Sequence, residues 1–379
     1  MLMSIVRTAY RFIRFDRAKS IGVMVGIVIS TFLIGQQLGI AFFLSSLMSA
    51  VVDNSSGDIW VIDTRAKDAN QVGFIDSRNT RLVQSIPGVA IAYPIVITGG
   101  KATFPDGSNT AISLIGSDAP LFKAGPMQKN IIEGSFDNLL NEGAVTADYY
   151  DRDNFGGSAA VGQSFEISGK RAYIAVQTKG VRGFGGTMMY TTIDRARYYG
   201  NVSDKSISAI VLNVKSGANA DSVVTAINKT IYGVRAWKKG ELSFSTVYTI
   251  LFTSGIGVST GSLIIFAIIS GFFIIGLTMY SSALDRLKDY GTLKAIGANN
   301  RYIRALILGQ AFSFAIIGFI IAYLLLLAFI KGSEPSGLVV HFPIWILAAL
   351  FMVTLLISLS GAIFALRRIK GVEPASVFR

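Results

Sequence analysis

Residues 283–300 read ALDRLKDYGTLKAIGANN, and they interrupt apolar sequence on both sides. No charged residue occurs from Leu242 to Leu284, and none from Ala305 to Ile330. Two further runs are free of charge, Ser20–Val52 and Phe342–Leu366. Each run exceeds the ~20 apolar residues that cross the hydrocarbon core of a bilayer. They predict four transmembrane helices, at roughly residues 21–45, 254–280, 305–330 and 343–366. A composition of 51% hydrophobic and 15% charged residues agrees with a membrane protein, because soluble domains carry about 25% charge. The first run is more than twice as long as the apolar segment of a secretory signal peptide, so it reads as an anchor that is not cleaved.

The distribution of charge orients the spans. The net charge is +12, of which residues 53–241, with 20 basic and 18 acidic residues, contribute only +2. The excess lies at the N-terminus (Arg7, Arg11, Arg14, Arg17, Lys19), in residues 285–304 (Arg286, Lys288, Lys294, Arg301, Arg304) and in the tail (Arg367, Arg368, Lys370, Arg379). Basic residues next to spans stay cytoplasmic. Both ends and the 283–300 island are then inside, and the segment between helices 1 and 2 is outside. These charges flank spans and form no basic face on a domain, so no nucleic-acid partner is expected.

The predicted organisation follows: a cytoplasmic N-terminal segment (1–19), helix 1 with a stalk (20–52), an extracytoplasmic α+β domain (53–250), helix 2 (251–282), the cytoplasmic loop (283–304), helix 3 (305–330), an outer loop (331–342), helix 4 (343–366) and a cytoplasmic tail (367–379). The 43 uncharged residues of 242–284 outrun one crossing, which predicts that helix 2, like helix 1, continues beyond the bilayer as a stalk. In the outer segment, DIWVID (58–63), residues 90–100, 110–117 and 206–215, and two segments joined by a turn at Ser168–Gly169 read as strands. Residues 77–89 and 219–233 read as helices, the second starting at Asp221 or Ser222.

No catalytic constellation stands out. With no cysteine, thiolate metal sites and thiol nucleophiles are excluded, and the one histidine, His341, cannot build a multi-histidine site. Asp148, Asp151 and Asp153 invite comparison with a calcium loop. Counted from Asp148, positions six and twelve hold Asp153 and Ala159 where glycine and glutamate belong, so a solvated turn is expected. GVRGFGGT (180–187) lacks the lysine and hydroxyl residue of a phosphate-binding loop and reads as a loop between strands. No span carries a charge, which argues against a proton- or ion-coupled carrier. In helix 1, Gly22, Gly26 and Ser30, then Gly35 and Gly39, recur at four-residue spacing, a pattern that lets helices approach closely.

Within the island, Leu284, Leu287 and Tyr290 form an apolar stripe, Gly291 can break or bend the helix, Gly297 can end a second turn, and Asn299 or Asn300 can cap helix 3. A short amphipathic helix on the inner membrane surface satisfies this order. So does a basic connecting loop that only sets topology.

The island resembles the cytoplasmic loop of MacB/FtsX-type ABC transporter permeases through Arg286, Gly291, Leu293, Lys294, Ala295, Ile296, Gly297 and Ala298. Asp285 and Asp289 stand where that loop usually has glutamate, and Tyr290 replaces an aliphatic residue or Phe. The order of one helix, a large outer domain and three helices is similar to that family. So are SIPGV (85–89), EGSF (133–136), VGQSFEI (161–167) and VEPASVF (372–378). QQLGI (36–40) and GDIWVID are similar to its DevC-like branch, which exports glycolipids.

The resemblance implies that the loop is a coupling helix docking on a separate ATPase, through Asp285, Arg286, Asp289, Tyr290, Gly291, Leu293, Lys294, Ala295 and Gly297. It implies a non-catalytic permease subunit of an exporter in a bacterial inner membrane, moving a lipid, lipoprotein, peptide or drug. ATP and Mg²⁺ would be used by the partner, since this sequence has no G-x-x-x-x-G-K-[ST] motif and no cofactor of its own is expected. A second permease copy, identical or paralogous, is implied by the four-helix count; a membrane-fusion protein and an outer-membrane channel are further implied partners. The FtsX branch supplies an alternative, a mechanical transmitter that activates a cell-wall hydrolase. A membrane-anchored sensor is a third reading.

Overall fold

Four long apolar helices carry the chain through the runs that lack charge. The computed structural model describes residues 17–285 and 287–369. The described residues divide into two compact units, Phe43–Gly257 with Pro335–Gly337, and residues 17–42 with 258–334 and 338–369. Helices are numbered here α1 (Arg17–Met48), α2 (Asn79–Gln84), α3 (Ile193–Gly200), α4 (Ala220–Thr230), α5 (Lys239–Thr253), α6 (Ile256–Asp285), α7 (Leu287–Ala295), α8 (Asn300–Ser333) and α9 (Ile344–Ile369). Stretches in α1, in α6, in α8 with the turn that follows it, and in α9 are long and apolar enough to cross a membrane: Ser20–Met48, Ile256–Thr278, Asn300–Ser336 and Ile344–Ile363.

In the helical unit, lipid offers no hydrophobic drive for helices to associate, so close packing and polar contacts must hold them. The small residues of α1 meet α6 in antiparallel order. A Cβ on Gly26 would lie 2.7 Å from Ile274, and one on Gly22 would lie 3.4 Å from Thr278. Ser30 fills the corresponding place against Gly271, whose added Cβ would lie 2.6 Å from the Ser30 Oγ. Further along, Gly35 packs on Leu326 and Leu350, and Gly39 on Val340 and Phe342. Two polar contacts tie in α9: Thr31 Oγ1 of α1 lies 3.0 Å from Thr354 Oγ1, and Ser358 Oγ donates to the Ala311 carbonyl of α8 at 2.9 Å. Ile27, Ile34, Leu306, Phe314, Leu350 and Ile357 belong to the buried core between them.

The second unit is built on a mixed sheet. Its strands are β1 (Ile59–Asp63), β3 (Val89–Thr103), β4 (Asn109–Ser117), β5 (Ile131–Glu133), β6 (Ala144–Asp148), β7 (Ser164–Ile167), β8 (Lys170–Thr178), β9 (Thr187–Thr192), β11 (Ala209–Val214) and β12 (Val234–Lys238). A separate pair is formed by β2 (Ile75–Asp76) and β10 (Ser206–Ile207). The fifteen-residue β3 is the axis: its first half pairs with β11 and its second half with β4. On the outer side of β11, β1 lies antiparallel between β11 and β12. β1 is apolar throughout because both its faces are buried, Ile59 and Val61 in one core and Trp60 and Ile62 in another. Trp60 Nε1 donates to Ser55 Oγ at 3.0 Å, which satisfies the only polar atom of that side chain. α4 starts one residue earlier than the sequence suggests, because Asn219 caps it by accepting from the Asp221 N–H at 2.8 Å.

Three sequence expectations are corrected. Helix 2 does not run on as one stalk: α5 and α6 are separate helices, with Gly255 at φ +74° between them. Gly291 does not break the island, because α7 continues from Leu287 to Ala295. Of the three aspartates at and after the end of β6, Asp153 is exposed as a solvated turn requires, but Asp148 and Asp151 are not. Asp148 is fully buried, accepting from the N–H groups of Tyr150 and Val181 and from Thr178 Oγ1. Asp151 is buried as well and pairs with Arg182, whose Nε lies 2.8 Å from its Oδ1. In the same unit Arg182 Nη1 donates to the Gly337 carbonyl at 3.2 Å, and Arg152 Nη2 to that of Pro335 at 3.1 Å. Burial pushes the Asp151 carboxyl up to about 6, against the opposing pull of Arg182.

Candidate functional site

α7 owes its placement to a capped exit and an anchored face. Its C-terminus closes in a Schellman motif: the Ala298 N–H donates to the Leu293 carbonyl at 2.9 Å and the Gly297 N–H to that of Lys294 at 3.0 Å. Gly297 sits at φ +97°, a conformation that only glycine adopts without strain. The chain then re-enters a helix at once. Asn299 Oδ1 accepts from the Tyr302 N–H at 2.8 Å and caps α8.

One face of α7 is tied to the helical core. Tyr290 is 2% exposed and shares a core with Ile303, Leu306 and Ile307, with Leu293 packed against it. Gly291 is also buried. The opposite face presents Asp289, Thr292 and Ile296, which recur at i, i+3 and i+7 and so line one side of the helix and its exit. Ile296 is 77% exposed. Asp285, Ala295 and Gly297 are exposed, and Lys294 is half-buried.

The site residues named from sequence thus separate by role. Tyr290, Gly291 and Leu293 hold the helix to its own bundle. Asp285, Asp289, Ala295 and Gly297 lie on the accessible side. Arg286 lies outside the described residues, as do Arg7, Arg11 and Arg14 of the N-terminus and the VEPASVF tail. Gly22, Gly26 and Ser30 lie in the seam between α1 and α6. Ile296, which helps carry the family resemblance but is not among the named docking residues, also lies on the exposed side.

Comparison with known proteins bears on both units. The model of the FtsX-like permease C-terminal domain matches residues 261–374, which include α7 and most of the helical unit. The model of the MacB-like periplasmic core domain matches residues 20–230. Among curated relatives, an uncharacterized ABC transporter permease of Mycobacterium tuberculosis (strain H37Rv) is 30% identical over 105 residues, 28% of this chain and 29% of its own length. A second permease of that strain is 33% identical over the same shares. The match thus spans less than a third of these relatives. Among solved structures, the periplasmic region of MacB from Actinobacillus actinomycetemcomitans aligns with a TM-score of 0.38 at 9% identity, covering 51% of this chain and 93% of that one. The extracellular domain of the ABC-type transporter YknZ aligns with a TM-score of 0.36 at 12% identity, covering 48% and 99%. With family models covering the outer domain and the three C-terminal helices in this order, the chain belongs to the MacB/FtsX-type ABC transporter permeases.

Proposed function

We propose that this chain is the membrane subunit of an ATP-driven exporter in a bacterial inner membrane, and that α7 is where a separate ATPase takes hold. The observation that carries this reading is the two-sided character of α7. Tyr290 and Leu293 fix it to the bundle, while Asp289, Thr292 and Ile296 face outward around an exposed aliphatic anchor. A helix built in this way passes a push from a docked partner into the bundle, because it cannot move without moving Tyr290. The chain itself hydrolyses nothing in this scheme. A second permease copy completes the unit, and the outer domain handles a lipid, lipoprotein, peptide or drug, or passes force to an outer partner.

The chain contains no cysteine, so a single one can be introduced at Ile296 without background. I296C is expected to cross-link to the ATPase that co-purifies with the permease. D289A/K294A is expected to lower the permease's stimulation of that ATPase by about tenfold or more, as loss of a hot spot does, with membrane insertion unchanged. An inserted double variant that couples normally, together with no cross-link at position 296, overturns the assignment.

A further inference from the structure

Between α8 and α9 the chain makes a short turn, Pro335–Gly337, whose contacts group it with the sheet-based unit. Two arginines hold it there by its backbone: Arg152 Nη2 donates to the Pro335 carbonyl, and Arg182 Nη1 to the Gly337 carbonyl. Gly337 is buried at φ +82°, and a Cβ added to it would lie 3.1 Å from Tyr150 Cβ. The turn therefore lies directly on the segment that carries Asp151.

Arg182 has two partners at once. Besides reaching Gly337, its Nε lies 2.8 Å from Asp151 Oδ1. The second carboxyl oxygen, Asp151 Oδ2, is buried with no hydrogen-bond partner among the described residues. A buried carboxylate with one bare oxygen is costly, and a proton on it lowers the cost. Of the charged groups around it, Arg182 in the β8–β9 loop favours the ionised form, and Asp148 at the end of β6 opposes it. On the same segment, the Arg152 guanidinium lies 4.7 Å from the Tyr149 ring centroid, with its Nε 3.9 Å from Asp153. Lys179 stands 5.5 Å from the Tyr150 ring centroid, and Glu334 precedes the turn in the chain. Burial outweighs these charges and sets the carboxyl at about 6.

When the turn leaves, Arg182 loses the Gly337 carbonyl, and its side chain, already 24% exposed, can swing into water. Water then reaches Asp151, whose proton affinity falls back toward the ordinary 3.8. The docked form holds the proton more tightly, so by linkage a proton favours docking. We propose that Arg182 and Asp151 make the Pro335–Gly337 turn a proton-linked latch, held while Asp151 is protonated and partly released once it ionises. The charge distribution along the chain puts this unit outside the cytoplasm, where pH follows the medium. The latch needs no ATPase, so it stands or fails separately from the docking of a motor on α7.

The chain has no cysteine, so spin labels introduced through D153C and S336C, both at exposed positions, report on the turn without background. Distances are measured by pulsed electron–electron resonance on the full chain in lipid nanodiscs. G337A, whose Cβ would collide with Arg182 Nη1, supplies the distance of the released turn. The labelled chain is expected to show docked and released distances at pH 8, with the ratio of docked to released rising about tenfold at pH 5. D151N is neutral at every pH and is expected to stay docked at pH 8, a gain that misfolding cannot imitate. A distribution that does not change between pH 8 and pH 5, or the same change in D151N, overturns the proposal.

Discussion

The contact between Ser30 on α1 and Gly271 on α6 makes a prediction whose sign can be worked out. A Cβ at position 271 would lie 2.6 Å from Ser30 Oγ and 2.7 Å from Ser30 Cβ. Non-bonded carbon atoms rest about 3.5–4.0 Å apart, so G271A must part the two helices by roughly 1 Å or turn the serine out of its place. Overfilling of this kind costs about 1–3 kcal/mol. Alanine gains about 1 kcal/mol over glycine in helix propensity, so the single variant should lose up to about 2 kcal/mol net. S30G removes both offending atoms. The double variant S30G/G271A should then return close to the wild-type value, with a coupling energy of about 1–3 kcal/mol between the two sites. The assay is equilibrium unfolding of the full chain in mixed micelles at the four corners of the cycle. Effects that add within about 0.5 kcal/mol would show that α1 and α6 do not meet closely here, and the packing described for Gly22, Gly26 and Ser30 would fail with them.

Two further predictions concern the sheet-based unit. The folded Asp151 carboxyl is pushed up to about 6 from an ordinary value of 3.8, so the folded chain holds that proton more tightly than the unfolded one. Its ionisation costs stability above about pH 6, the cost disappears as pH falls toward 3.8, and the full effect is about 3 kcal/mol. D151N should therefore flatten the rise in stability of this unit between pH 7.5 and pH 4.5, measured by denaturant unfolding; parallel pH profiles for the two proteins refute this. Gly337 lies at φ +82°, and an added Cβ would collide with Arg182 Nη1. G337A should cost about 1–3 kcal/mol and raise hydrogen exchange at Arg182; unchanged exchange there speaks against the contact.

Some of this architecture is written locally and some is not. The four spans are legible because absence of charge over more than twenty residues has one physical solution in a bilayer. The Gly297 stop and the Asn299 cap are legible because φ and side-chain acceptor requirements are met within a few residues. The helix running through Gly291 is not, because burial of neighbouring Tyr290 and Leu293 against α8 outweighs the propensity of one glycine. Gly255 marks a break, but it sits in a long apolar run where nothing else signals one. Asp148 and Asp151 read as solvated because their partners, Thr178, Val181 and Arg182, are about thirty residues away along the chain. The accessible side of α7 was half legible: its charges were visible, while the exposure of Ile296 depends on which face Tyr290 turns inward.

The position of β1 has a consequence for how the protein is made. β1 hydrogen-bonds to β11 and β12, so Ile59–Asp63 wait for partners at Ala209–Val214 and Val234–Lys238. At a synthesis rate of about 5–20 residues per second, the edge that β11 covers stays open for roughly 8–30 s after the strand emerges, and the edge that β12 covers for roughly 9–35 s. Throughout that interval the nascent chain is tethered by its first span and presents an apolar strand on the far side of the membrane. Whatever shields that strand must act until Lys238 has been translocated, and a chain cut short before β12 would leave it permanently uncovered on one edge.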